Sequence, residues 1–133
     1  MKRTSQLLAL AAAITALLAL AASAFADAGP GETVKVKSEV TLGASGYQGK
    51  VKAKNSNCVG ERTVVLKQKG KGVISRATSK PNGGWRADLE ELNENIKIPA
   101  QVFAEVKPST QATAGPIYKC LAAVSKTREI AGG

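Results

Sequence analysis

Apolar and polar residues alternate along much of the chain after residue 32, which is the pattern of half-buried β-strands. Residues 33–42 carry apolar side chains on one face: Val34, Val36, Val40 and Leu42. Residues 47–54 alternate in the same way, and the glycine-containing segment 43–46 between them has the composition of a turn. The pattern therefore predicts a β-hairpin over residues 33–54.

Five further segments show alternation or short apolar runs bounded by turn residues: 62–69, 73–79, 85–89, 100–107 and 118–130. The strongest turn signal is Pro81-Asn82-Gly83-Gly84. We interpret 90–99 as an acidic loop, although a helical turn could begin there, and 108–116 as a flexible loop. Seven strands without a convincing helix predict an all-β fold, a single antiparallel seven-stranded β-sandwich.

The first 26 residues have the organisation of a secretory signal peptide. A basic start, Met1-Lys2-Arg3, precedes an apolar run over residues 7–22, and Ala24 and Ala26 fit an A-x-A cleavage site. Cleavage after Ala24 and an uncleaved membrane anchor are the alternatives, but the run is short for a membrane span. We expect residues 1–26 to be removed and residues 27–133 to form one β-sandwich domain with no stable membrane insertion.

Two cysteines, Cys58 and Cys120, occur in this exported chain. An even number of cysteines in an oxidising compartment predicts a disulfide, and with two cysteines only one pairing exists. We therefore expect a Cys58–Cys120 bond in a monomeric protein that is secreted or periplasmic.

The sequence contains no histidine, which excludes Ser-His and Cys-His nucleophile systems and a histidine-bound metal. No phosphate-binding glycine motif occurs either. Carboxylates cluster at Asp88, Glu90, Glu91 and Glu94, but they lack the spacing of a calcium loop. We therefore expect a protein that is not an enzyme and that has no cofactor and no metal site.

Four groups of residues resemble the secreted, transthyretin-like β-sandwich modules of carboxypeptidase regulatory-domain type that bacteria export. They are Gly49-Lys50-Val51, Val64-Val65-Leu66, Thr78 to Trp85, and Phe103-Ala104-Glu105-Val106. They resemble the family's G-x-V, V-x-L, T-T-D-x-N-G-x-W/F and Y-x-A-x-V segments in the same order, with Lys80 where the family has Asp. The resemblance covers about residues 49–107, and it implies a non-catalytic module.

An immunoglobulin-like sandwich is the alternative architecture. Tyr118 lies two residues before Cys120, as the conserved tyrosine of that fold does before its second cysteine. Trp85, however, follows Cys58 too late to be the tryptophan of that fold, and we expect it in the core.

Charge carries the remaining functional signal. Removing Lys2 and Arg3 with the signal peptide leaves seventeen basic and ten acidic residues, a net charge of +7. Five lysines would share the outer face of the predicted hairpin: Lys35, Lys37, Lys50, Lys52 and Lys54. Such lysines can protect a sheet edge from pairing, or they can bind a polyanion.

We expect a non-enzymatic β-sandwich with a binding or structural role at the cell envelope. Its partner would be an anionic cell-envelope polymer, bound by these five lysines. The alternative is a secreted inhibitor or effector that binds another secreted protein through the loop 108–116. Nucleic-acid binding is not expected, because only four aromatic residues follow the signal peptide.

Overall fold

Eleven β-strands and one short α-helix make up residues 29–131, the part of the chain that the computed structural model describes. The strands are β1 (Thr33–Val36), β2 (Ser38–Leu42), β3 (Gln48–Ala53), β4 (Thr63–Gln68), β5 (Gly72–Thr78), β6 (Gly84–Arg86), β7 (Ala100–Val106), β8 (Ser109–Ala112), β9 (Ile117–Cys120), β10 (Ala123–Val124) and β11 (Arg128–Ile130). The helix is α1 (Leu89–Asn95), and a 3-10 helix spans Ser56–Cys58. The prediction of an all-β protein is confirmed. The predicted signal peptide, residues 1–26, lies outside the described residues.

The strands form three sheets. Strands β2, β3 and β6 make an antiparallel sheet in the order β2-β3-β6. The largest sheet has the order β10-β7-β4-β5, with β11 also paired to β7, and all its pairings are antiparallel. The third has the order β1-β9-β8, in which β1 and β9 run parallel. The predicted hairpin is thus present as β2–β3, whereas β1 belongs to a different sheet.

The predicted count of seven strands differs from the structure because two predicted strands are each divided between sheets and because the predicted loop 108–116 contains one further strand, β8. Residues 33–42 divide into β1 and β2, and residues 118–130 divide into β9, β10 and β11. In the first case the alternation of buried and exposed residues continues through Lys37, where the chain changes partners. The alternation of apolar and polar residues indicates which face of a strand is buried, but it does not indicate which strand lies beside it. The change of pairing partner at Lys37 therefore could not be predicted from the pattern.

The interpretation of residues 90–99 as an acidic loop is wrong, because Leu89–Asn95 form α1. The Asp88 carboxylate accepts hydrogen bonds from the backbone N–H groups of Glu90 and Glu91, which is helix N-capping. Leu92 is buried against the main core. The loop predicted at 108–116 is also wrong in part, since four of its residues form β8.

The main core lies between the β2-β3-β6 sheet and the β10-β7-β4-β5 sheet. Val40, Val51 and Trp85 come from the β2-β3-β6 sheet, and they pack in one cluster with residues of β4 and β7 such as Leu66 and Val102. A second, smaller cluster contains the two cysteines and Val36. Three partly buried residues, Val34, Ala53 and Tyr118, pack against this second cluster.

Candidate functional site

The β2–β3 hairpin directs its lysines away from the core. Its antiparallel register places Glu39 opposite Lys52 and Val40 opposite Val51. Val40 and Val51 are buried, whereas Lys50 and Lys52 are exposed. Directly paired residues share one face of a sheet, so the hairpin has an apolar inner face and a charged outer face.

Lys37 and Lys54 extend this outer face beyond the last paired residues. The β2–β3 register, continued by one pair beyond Ser38 and Ala53, sets them opposite each other, and both are exposed. Lys35 lies on β1, exposed, and its neighbour in the parallel pairing is Lys119 of β9. The structure therefore gathers four predicted lysines on the hairpin, with Lys35 on the adjoining strand and Lys119 as an addition that the sequence pattern missed.

Two adjoining grooves run over this lysine surface. The first, which we call the Tyr118 groove, has a volume of about 590 Å³ and is lined by Val34, Lys35, Val36, Lys37, Lys54, Asn55 and Tyr118. The second, which we call the Lys52 groove, has a volume of about 530 Å³, and its lining includes Lys37, Glu39, Lys52 and Lys54. Lys37 and Lys54 line both grooves and form the boundary between them.

The positive charge of this surface is largely uncompensated. None of the five predicted lysines forms an ion pair with a carboxylate of residues 29–131. The carboxylate of Glu105 is engaged elsewhere, 3.1 Å from the Lys67 amine and 2.8 Å from the Lys107 amine. These two hydrogen bonds, that of Lys107 first, lower the pKa of Glu105 below its usual value. Glu39 is the one acidic residue among those lining the two grooves.

A disulfide fixes the strands that border the Tyr118 groove. Cys58 in the 3-10 helix is bonded to Cys120 on β9, and their Cα atoms lie 5.4 Å apart. The predicted pairing is therefore confirmed. Cys120 is also the neighbour of Val36 on β1. The bond thus ties the chain that follows β3 to the β1–β9 pair, and these are the two sides of the groove.

A buried arginine reinforces the same junction. The Arg62 guanidinium donates hydrogen bonds to the hydroxyl of Ser38 at 2.8 Å and to the carbonyls of Cys58, Lys107 and Leu121 at 2.7, 2.9 and 3.1 Å. Arg62 is fully buried and forms no ion pair with the described carboxylates. Burial lowers the pKa of its guanidinium. The sequence does not reveal this role of Arg62, because a single arginine before a strand gives no signal of burial.

A third groove, of about 340 Å³, continues the basic surface toward β6. Its lining includes Gln48, Lys80 and Arg86. Arg86 pairs with Gln48 across β3 and β6, and its guanidinium carbon lies 5.5 Å from the centre of the Tyr47 ring. The hairpin pattern missed these basic residues because β6 joins the hairpin from a distant part of the chain.

Trp85 belongs to the core, as predicted. It is 3% exposed, and its partner across β3 and β6 is Gly49. A Cβ atom at Gly49 would collide with the Thr41 carbonyl and would lie 3.1 Å from the Trp85 indole nitrogen, so glycine leaves room for both groups. The turn before it requires Gly83, which has a positive φ of 90°. Trp85 is therefore not available as an exposed binding platform.

Two of the four carboxylates predicted as a cluster have structural partners. Asp88 caps α1, and Glu91 lies 3.9 Å from Arg76 of β5. Among residues 29–131 no group of three potential metal ligands comes together. The segment 108–116, predicted as a protein-binding loop, consists of β8 and a turn in which Thr113 accepts from Gly115 and donates to Pro116.

In comparisons with known proteins, no family model, no curated protein and no solved structure matches the chain. In the part of the chain that the structure describes, no helix has the length and apolar character needed to cross a membrane.

Proposed function

We propose that this protein is a non-enzymatic, exported binding protein whose lysine surface attaches it to an anionic polymer of the cell envelope. The observation that carries the proposal is the pair of adjoining grooves bordered by Lys35, Lys37, Lys52 and Lys54, none of which has an ion-pair partner among the described residues. Lys50 and Lys119 extend the same surface.

Electrostatics favours a polymer as the ligand. Lysines that face one another across strands, as Lys37 and Lys54 do, repel each other in the free protein. A bound polyanion would relieve this repulsion, and it would release some of its own counterions into solution. Because one polymer chain carries many charges, its weak contacts with several lysines add together. Such attraction is screened beyond a Debye length of about 8 Å at physiological salt. Binding should therefore be strong at low salt and fall steeply as salt is added.

Export is part of the same proposal. The disulfide fits an oxidising compartment, and the sequence of residues 1–26 fits a signal peptide. The fold we propose is a β-sandwich of transthyretin-like type, with the β2-β3-β6 and β10-β7-β4-β5 sheets as its layers. The shared core of those sheets and the tight turn at 80–84 support this assignment.

A secreted inhibitor or effector is the second candidate, and one observation favours it. Strand β8 is an outer strand of the β1-β9-β8 sheet, and its residues Ser109–Ala112 contain no lysine to protect the edge. A partner protein could add a strand there. Capture of one defined secreted protein, lost when Gln111 is changed to proline, would favour this candidate over polymer binding.

The test of the main proposal is retention on a column of anionic cell-wall polymer at low salt. The wild-type protein should be retained and should elute early in a salt gradient. A variant with all five predicted lysines changed to glutamine should pass through while keeping its thermal unfolding midpoint. Equal retention of the two proteins would eliminate polymer binding by this surface.

A further inference from the structure

The Tyr118 groove differs from the rest of the lysine surface because one of its sides is apolar. Val34 and Tyr118 are neighbours in the β1–β9 pairing and therefore lie on the same face of that sheet. Both are half-buried and pack against the cluster of Val36 and the two cysteines. The Lys52 groove, by contrast, has no aromatic residue in its lining.

Polar groups with unused hydrogen-bonding capacity also border this apolar side. The Tyr118 hydroxyl makes no hydrogen bond to residues 29–131. The Asn55 side-chain oxygen accepts from Asn57, whereas its amide group donates to none of those residues. Three lysine amines complete the lining, those of Lys35, Lys37 and Lys54. The groove thus combines an aromatic and aliphatic side, a hydroxyl, an amide donor and three cations.

We infer that the Tyr118 groove recognises an acidic polysaccharide, and specifically a repeating unit that is a carboxylated pyranose ring. This inference rests on the proposed polymer-binding function. The C–H face of a sugar ring would pack on Tyr118 and Val34, where it is removed from water. The ring's carboxylate would meet the lysine amines, and its hydroxyls would use the Asn55 amide and the Tyr118 hydroxyl.

The shape of the surface favours a chain over a single sugar. Lys37 and Lys54 border both grooves, so a polymer leaving the Tyr118 groove enters the Lys52 groove directly. Strand β3 alone, six residues long, extends about 20 Å at 3.3 Å per residue. That length accommodates several successive rings. A flexible polyanion without rings would find the same charges but would make no use of the apolar side.

The experiment compares polygalacturonate with poly-glutamate of matched carboxylate number, by calorimetry at low salt. Both polymers carry carboxylates, but only the first has pyranose rings. We expect the wild-type protein to bind polygalacturonate at least about fivefold more tightly, in the range that contact with one aromatic ring provides. Tyr118→Leu should remove this preference while leaving poly-glutamate binding unchanged. Tyr47→Leu, at a half-buried tyrosine outside the groove, is the matched control and should keep the preference.

The outcomes distinguish recognition of an acidic polysaccharide from the more general proposal of anionic-polymer binding. Failure to bind either polymer would overturn both. Equal affinity for the two polymers, or an unchanged preference in Tyr118→Leu, would overturn the acidic-polysaccharide inference and leave polymer binding intact. If Tyr118→Leu does not fold, amide chemical shifts of the wild-type protein decide. Shifts at Val34, Val36 and Tyr118 that polygalacturonate produces and poly-glutamate does not would support the inference, and identical shifts would contradict it.

Discussion

Arg62 shows how one side chain can join three sheets without a counter-charge. Its guanidinium reaches Ser38 of β2, the carbonyl that follows β7 and the carbonyl that follows β9. Carbonyl oxygens at strand ends have lost their sheet partners, and burying them unpaired is costly. A cation with several donors in a rigid plane satisfies them together, which offsets the cost of burying the charge.

Replacing Arg62 with methionine should therefore be strongly destabilising. Four acceptors lose their donor, and we expect the free energy of unfolding to fall by roughly 3 kcal/mol or more. Urea denaturation measures this change. Arg76→Met, at an exposed arginine on β5, is the control and should change the free energy of unfolding by about 0.5 kcal/mol or less. Similar stability of the two variants would show that Arg62 does not hold the junction.

At the scale of elements, local patterns predicted what depends on local chemistry. The turn at 81–84 was identified by its proline and glycines, and alternation identified the β2–β3 hairpin and placed Trp85 in the core. It missed α1, since four acidic residues within 88–94 suggested a solvated loop, although Asp88 was a helix cap. It missed β8, whose pairing to β9 is set by tertiary contacts that a sequence of small polar residues does not reveal. For the same reason it predicted the hairpin lysines but not Lys119 or Arg86.

The disulfide stabilises the arrangement of β1, β3 and β9. It closes a loop with a sequence separation of 62 residues, which restricts the unfolded chain. Cys58→Ser should lower the free energy of unfolding by about 2–5 kcal/mol, measured by chemical denaturation. The reduced wild-type protein should show a similar loss. Two free thiols in the folded, exported protein would refute the pairing.

The contact between β4 and β7 should make stability depend on pH. Lys107 and Lys67 lower the pKa of Glu105 in the folded protein, so its carboxylate is more strongly ionised there than in the unfolded chain. This stabilisation is fully present above the unfolded pKa of about 4.3 and is lost as the pH falls through the lower, folded pKa.

The Glu105→Gln variant isolates this effect. Wild type should be more stable than Glu105→Gln at pH 6, and the difference should shrink as the pH is lowered toward 3, measured by thermal unfolding at each pH. Glu94→Gln, on the exposed face of α1, is the control. A difference between wild type and Glu105→Gln that does not change with pH would contradict the account.

At the scale of the whole molecule, charge is distributed unevenly over the fold. The hairpin and the strands beside it carry the unpaired lysines, whereas acidic residues concentrate in α1 and the residue that caps it. The core, the disulfide and Arg62 hold together the strands that carry the lysines, so the backbone of this surface is fixed before any ligand arrives. Binding would then require little reorganisation of the backbone.

The central claim is that the position of these lysines, and not the net charge of the protein, produces binding to an anionic polymer. Two variants with equal net charge test it. One changes four lysines of the grooves to glutamine: Lys35, Lys37, Lys52 and Lys54. The other changes four exposed lysines elsewhere: Lys69, Lys71, Lys97 and Lys126.

The measurement is the dissociation constant of each variant for polygalacturonate at low salt. The groove variant should lose most of the affinity, and the second variant should stay close to wild type. Equal loss in the two variants would mean that net charge alone accounts for binding, and it would contradict the claim that this surface is a site.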